Sequence, residues 1–125
     1  MKKYKSKSLV AITGANGFIG RALCKELSLR KINHRRLQRK KEDNVYLVDS
    51  FERNNQLSKA LMGVDTLIHC AGLAHQNNNK SQSNQSLYDA INYKGTVNLA
   101  KQASEQGVKR FIFISSIKVN GELSY

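Results

Sequence analysis

Residues Thr13-Gly14-Ala15-Asn16-Gly17-Phe18-Ile19-Gly20 follow the apolar run Leu9-Val10-Ala11-Ile12 and lead into a helix-like stretch over residues 18–30. A strand, a glycine turn and a helix in that order leave few folds open. Gly14 lets the chain turn sharply off the strand. Gly17, with no Cβ, leaves its backbone open to close approach, and Gly20 lets the helix pack tightly on a sheet. A helix N-terminus beside such a turn attracts anions, and this arrangement is how a fold holds a dinucleotide pyrophosphate. The spacing is G-x-x-G-x-x-G rather than the commoner G-x-G-x-x-G. Taken alone, the triplet reads equally as an ordinary tight strand-to-helix turn. The rest of the chain has to separate the two readings.

Apolar periodicity predicts five β-α units. Strand one spans residues 9–13. Helix one spans about 17–30, with Phe18, Ile19, Ala22, Leu23 and Leu27 as its apolar stripe. Strand two falls within 32–38, a segment with few residues suited to a pleated, buried environment. Strand three spans 45–48, helix two about 52–62 with Leu57, Leu61 and Met62 inward, and strand four 66–70. Residues 75–86, which include Asn77-Asn78-Asn79, are polar and low in complexity and read as a mobile loop. Helix three covers about 87–105 and strand five 110–115. With no proline anywhere and strands alternating with helices, the expectation is an α/β fold. Its sheet is parallel and doubly wound, in the order 3-2-1-4-5.

At 125 residues the chain is one domain, covering 1–125. No apolar run approaches the roughly 20 residues of a membrane span. The basic start, Met1 to Ser8, is followed by too short an apolar stretch for a signal peptide. Cys24 and Cys70 fall in a helix and at a strand end, and read as buried thiols of a cytoplasmic protein; no ligand spacing points to a metal. The net charge of +12 sits wholly in the first third: residues 1–41 carry 13 of the 21 Lys and Arg and only Glu26 among the acids. A basic face attracts polyanions. No helix-turn-helix, aromatic ladder or zinc pattern accompanies it, so no specific nucleic-acid partner is expected.

Thr-Gly-Ala-Asn-Gly-Phe-Ile-Gly resembles the cofactor fingerprint of extended short-chain dehydrogenases, the sugar-nucleotide epimerase/dehydratase family. Four later segments agree in order. They are residues 64–72 (Val-Asp-Thr-Leu-Ile-His-Cys-Ala-Gly), 92–99 (Asn-Tyr-Lys-Gly-Thr-Val-Asn-Leu), 107–116 (Gly-Val-Lys-Arg-Phe-Ile-Phe-Ile-Ser-Ser) and the following loop 117–122. The resemblance runs from about Leu9 to Glu122. Its wording near the end is most similar to bacterial epimerases acting on UDP-N-acetylhexosamines. It implies a Rossmann-like domain, a dinucleotide cofactor, NAD or NADP, and a nucleotide-sugar substrate for the intact family.

The resemblance assigns roles by position. Gly14, Asn16, Gly17, Phe18, Ile19 and Gly20 would meet the pyrophosphate, and Cys70, Ala71 and Gly72 would pass under the cofactor. Asp49 would meet the adenine amino group, with Ser50 beside it offering a backbone amide. Asn92 would bond backbone groups under the cofactor. His69 would pack beneath the cofactor loop. The end of strand two usually separates NAD from NADP: an acid bonds the ribose 2′-hydroxyl, a base meets the 2′-phosphate. Here Gln38-Arg39-Lys40-Lys41 holds no acid, which leans toward NADP with Arg39 as candidate; a solvated basic turn is the other reading.

Chemistry in this family needs a hydroxyl residue, a Tyr and a Lys four residues after the Tyr. The hydroxyl position falls on Ser116, the catalytic candidate. None of the five tyrosines has a Lys four residues later, and an unassisted Tyr, with a pKa of about 10, is a poor base at neutral pH. The expectation is therefore a truncated, cofactor-binding part of an epimerase or dehydratase, inactive alone. The alternative is a non-catalytic NAD(P)-binding or protein-interaction module, with a homodimer formed along an exposed fifth strand.

Overall fold

The computed structural model describes residues 8–70 and 82–114; for 82–91 it describes the backbone alone. The elements are β1 (Val10–Thr13), α1 (Phe18–Leu29), β2 (His34–Gln38), β3 (Val45–Leu47), α2 (Asn54–Leu61), β4 (Thr66–His69), α3 (Gln82–Glu105) and β5 (Arg110–Phe113). The strands form one parallel sheet in the order β3-β2-β1-β4-β5, as the alternation of elements requires. Ala71, Gly72, His75 and Ser116 lie outside the described residues.

β1 runs through the middle and divides the core by its alternation. Ala11 faces the layer of α2 and α3, where it packs with Leu37, Leu67, Leu57, Leu61 and Leu99, all 0–1 % exposed. Ile12 faces α1 and meets Ala15, Cys24 and Cys70, with Val10, Leu23 and Leu27 alongside. The second cluster is much the smaller. At the ~25 cal/mol per Å² of burial, the face under α2 and α3 supplies most of the hydrophobic stabilisation.

β2 forms despite its composition because it is bonded on both sides, to β1 and β3. Arg35 is what makes its charged sequence tolerable. Its Nη1 donates to the Ala60 and Met62 carbonyls at 2.6 and 3.0 Å, closing the end of α2, and its guanidinium lies 4.4 Å over the Tyr46 ring. The connection from Gln38 to Val45 has no helix. It suffices because Val45 pairs with Arg36, so the chain returns only about two residues before β3 begins.

Several expectations need correction. Phe18 and Ile19 do not belong to the buried stripe of α1: they are 88 % and 39 % exposed. They begin the helix past the end of β1, where no sheet lies beneath them, and the covered face is Gly20, Leu23, Cys24 and Leu27. Met62 is exposed rather than inward, because the backbone turns extended at that residue and leaves the helical face. The expected loop 75–86 is helical from Gln82 onward. Once a helix is nucleated, each added residue gains a backbone bond even when its side chain has little apolar character.

α1 ends in a Schellman turn: Ile32 N–H donates to Leu27 O at 2.9 Å and Lys31 N–H to Ser28 O at 3.0 Å. Lys31 takes the left-handed position, φ 58°, that Gly107 occupies after α3.

Candidate functional site

All five strands point the same way, so the segments that follow them gather at one edge of the sheet. The glycine turn is the centre of that edge. Gly14 turns off β1 at φ 63°, and Gly17 N–H donates to Gly14 O at 3.0 Å, closing the turn. Gly17 is the N-cap of α1. A Cβ on Gly20 would run into the Gly14 carbonyl oxygen and stand 2.8 Å from Ala15 Cα, so this glycine is demanded by packing.

Gly17 is different. Its φ of −84° suits any residue, and an added Cβ would meet only Gly14 O at an ordinary 3.4 Å. Nothing within the protein requires a glycine there. The space above it is what an approaching phosphate would use. The first helical amides, from Phe18 onward, have no side-chain cap, and no acid sits in the first turn. Their partial positive charge is left for an outside anion. These features fit a dinucleotide pyrophosphate.

Thr13 and His69 tie the turn to β4. The two are register partners, and the Thr13 hydroxyl shares a 2.7 Å hydrogen bond with His69 Nδ1 while accepting the Cys70 N–H at 3.0 Å. His69 Nε2 bonds the Thr96 hydroxyl at 3.1 Å, and its ring stacks on Phe113 at 5.6 Å and meets Phe51 edge-on at 5.2 Å. Burial pushes the imidazole pKa down to about 4. His69 is thus a neutral strut under the site. Burial, and after it the neighbouring Cys24, pushes the Cys70 thiol up to about 11; burial also raises Cys24, against the opposing pull of Arg36. Both cysteines are free, buried and protonated, and neither is a nucleophile.

The resembling helix motif proves to be largely structural. A Cβ on Gly95 would stand 3.2 Å from Phe51 Cβ, Thr96 holds His69, Asn98 Nδ2 donates to Phe51 O at 2.7 Å, and Leu99 is fully buried. Asn92, one turn before Thr96, is exposed. After β3, the Asp49 carboxylate lies 3.2 Å from Arg53 Nε, and its N–H donates to Gln56 Oε1 at 2.9 Å. Ser50 Oγ accepts the Glu52 N–H at 3.0 Å. Arg39 is exposed at the bend that follows β2.

Sequence reasoning passed over Gln38 and Arg36. Gln38, the last residue of β2, is 3 % exposed; its Nε2 donates to Lys40 O and Glu42 Oε1, while its Oε1 has no hydrogen-bond partner. A cavity of about 400 Å³ opens beside the turn, lined by Ala15, Asn16, Arg21, Lys25, Arg36 and Glu42 among others, and Arg39 is not part of its wall. The signal was present: residues 21, 25 and 28 share one helix face, and 34, 36 and 38 share one strand face. Among the described residues no group of three or more His, Cys, Asp or Glu could hold a metal, and no helix is long and apolar enough to cross a membrane.

The sequence profile of the NAD dependent epimerase/dehydratase family matches residues 10–125. The chain belongs to the NAD-dependent epimerase/dehydratase family. Among family relatives, UDP-glucose 4-epimerase of Vibrio cholerae is 40 % identical over 123 residues, covering 94 % of this chain and 38 % of that protein. A short-chain dehydrogenase/reductase superfamily protein from Agrobacterium tumefaciens, solved with bound NAD, superposes with a TM-score of 0.73 at 29 % identity, over 89 % of this chain and 33 % of that one. MoeE5 in complex with UDP-glucose and NAD gives a TM-score of 0.74 at 28 % identity, over 92 % and 38 %. The chain spans about a third of the length of the curated relatives it first matches. The Rossmann-like fold and an NAD(P) cofactor for the family follow from these matches.

Proposed function

We propose that this chain is the dinucleotide-holding part of a nucleotide-sugar epimerase or dehydratase, and that as a 125-residue polypeptide it binds cofactor without turnover. The observation that carries the reading is Gly17, a glycine that the protein's own packing does not need, set at an uncapped helix N-terminus. Phe18 and Ile19 contribute their amides to the pyrophosphate. Asp49 and Ser50, after β3, and Cys70, after β4, stand at the same edge; the family resemblance alone assigns Ala71, Gly72 and Asn92 to the cofactor. A bound dinucleotide would supply the hydride acceptor and donor for the sugar carbon. The chain's own part is to bind, orient and cover one side of the cofactor, with Ser116 as the hydroxyl that would meet the sugar.

Inactivity alone rests on the absence of any Tyr followed by Lys four residues later. Two buried free thiols suit a reducing, cytoplasmic setting. A non-catalytic interaction module is the second reading. It is favoured by the edge strand β5, where Ile112 and Phe113 are 42 % and 53 % exposed, an arrangement open to pairing between two copies.

Calorimetric titration with NAD+ and NADP+ tests the first reading, alongside an assay for UDP-glucose to UDP-galactose interconversion. Saturable dinucleotide binding without turnover supports it; no binding of either dinucleotide sinks it. Sedimentation equilibrium decides the second: a strict monomer at high concentration removes the edge-paired dimer.

A further inference from the structure

The outer face of α1 takes no part in holding a dinucleotide. Gly20, Leu23, Cys24 and Leu27 turn toward the sheet, so the helical period turns Phe18, Ala22, Lys25 and Leu29 away from it. Phe18 is 88 % exposed and Leu29 68 %; Ala22, between them, is exposed as well. The two large side chains stand about 16 Å apart along the axis at 1.5 Å per residue. A surface helix normally gives its outward face to polar residues. Here an apolar ridge runs down the middle of that face.

Cations surround the ridge. Arg21 and Lys25 flank it on one side, and Lys31 follows at its C-terminal end, all three exposed. Glu26, the one acid of α1, is engaged by Arg30 at 2.7 Å on the other flank. Near the N-terminal end, the bend after β2 carries Arg39, Lys40 and Lys41, again all exposed. Glu42, the next residue, shares a cavity wall with Arg21 and Lys25, which places that bend beside the helix, and Gln38 Nε2 already engages its carboxylate at 3.1 Å. Val10 N–H donates to Asn33 O at 3.1 Å, so the chain enters β1 beside the C-terminal end of α1, and the sequence ahead of it carries Lys2, Lys3, Lys5 and Lys7. Residues 1–43 hold 13 Lys and Arg against Glu26, Glu42 and Asp43, whereas residues 44–125 hold 8 against 6 acids.

A convex apolar ridge set among cations suits a deformable anionic surface. Lysine and arginine heads meet lipid phosphates while phenylalanine and leucine reach the acyl boundary, as in helices that lie in the plane of a membrane. A nucleic acid would satisfy the cations and leave Phe18 and Leu29 in water. We propose that the outer face of α1 docks this chain on an anionic phospholipid surface, lying on the bilayer and not spanning it.

The test is co-sedimentation of the 125-residue chain with vesicles of phosphatidylcholine, alone or with about 30 % phosphatidylglycerol, at ~0.1 M salt and with NAD+ present throughout. The expected result is binding to the anionic vesicles about tenfold tighter than to the neutral ones. Lys25→Glu/Lys31→Glu should weaken it about tenfold. Lys94→Glu/Lys101→Glu makes the same charge change at exposed positions of α3, on the other side of the sheet, and should weaken it no more than about twofold. The sequence has no tryptophan, so Leu29→Trp supplies a single reporter. Its emission should shift to the blue on anionic vesicles and be quenched by lipids brominated in the acyl chain. Should Lys25→Glu/Lys31→Glu fail to fold by circular dichroism, Leu29→Trp decides. Equal losses from the two charge pairs, or an unmoved emission in Leu29→Trp, would mean general attraction by net charge and overturn the inference. Retardation of a DNA duplex on a gel by a chain that leaves the vesicles unbound overturns it in favour of a nucleic-acid partner, and no association with anionic vesicles overturns it outright.

Discussion

Thr13 and His69, opposite one another in the β1–β4 ladder, share a 2.7 Å hydrogen bond that links the start of the glycine turn to the floor beneath it. Both side chains are buried, at 0 % and 2 % exposure. Burial disfavours the protonated imidazole, which is why the His69 pKa falls to about 4.

The consequence is a pH dependence of known sign. Unfolded, His69 titrates near its ordinary 6.5; folded, near 4. Protons therefore favour the unfolded chain. The contribution of a neutral His69 is complete above about pH 6.5 and is lost as the pH falls from there toward 4, to a total of ~3 kcal/mol. Urea unfolding from pH 7.5 to 4 should show this loss. Carboxylates also titrate at the lower end, so the reading is the difference from His69→Gln, whose stability should stay flat between pH 6.5 and 5. Parallel curves for the two proteins would refute the assignment.

Two glycines of one motif should separate stability from binding. Gly20→Ala drives a Cβ into backbone atoms that cannot swing aside, and is expected to cost ~3 kcal/mol of stability. Gly17→Ala meets only an ordinary contact; its stability should change by no more than about 0.5 kcal/mol. Dinucleotide affinity of Gly17→Ala should fall at least tenfold, that is by ~1.4 kcal/mol or more. Thermal melts and calorimetry on the two variants check both halves.

Lys31 holds a left-handed conformation that carries a penalty for any residue with a Cβ. Lys31→Gly should raise stability by about 0.5–1 kcal/mol despite the entropy that glycine adds to the unfolded chain. A denaturant midpoint that moves down instead would show that the lysine makes compensating contacts.

Arg35 is expected to resist conservative exchange. Arg35→Met keeps the stem but abandons two carbonyls at the end of α2 and the stacking on Tyr46. A loss of about 1.5–3 kcal/mol follows for charge-assisted bonds of this kind. Equilibrium unfolding measures it directly.

The sheet order and the glycine turn were legible because they depend on local patterns: an apolar run, a turn residue where φ is positive, a helix period. Gly20 shows the limit of that reasoning. Its need for glycine was foreseen, but only coordinates reveal that Gly14 O and Ala15 Cα are what would collide. Arg39 was singled out because it follows a strand end. Arg36 was passed over because its significance depends on α1 lying across β2, which no one-dimensional spacing conveys. Phe18 and Ile19 share the helical period of Leu23 and Leu27 yet lie beyond the sheet, since periodicity says nothing of where the covering surface stops. Gln82 to Ser86 carry no apolar stripe, so their helix was illegible in composition.

The two layers that flank the sheet are unequal, and the thinner one carries the glycine turn. α1 is held by a small apolar cluster around Ile12 and Cys24, whereas α2 and α3 share the larger core. Local openings draw on the weaker layer first. Amide hydrogens of α1 should therefore exchange with solvent well before those of α3 in the stretch around Leu99, and the buried Cys24 thiol should become reactive while the sheet remains intact. A ligand seated at the N-terminus of α1 would bear on the very segment that opens most readily, so the cofactor would act as a clasp on the protein's looser half.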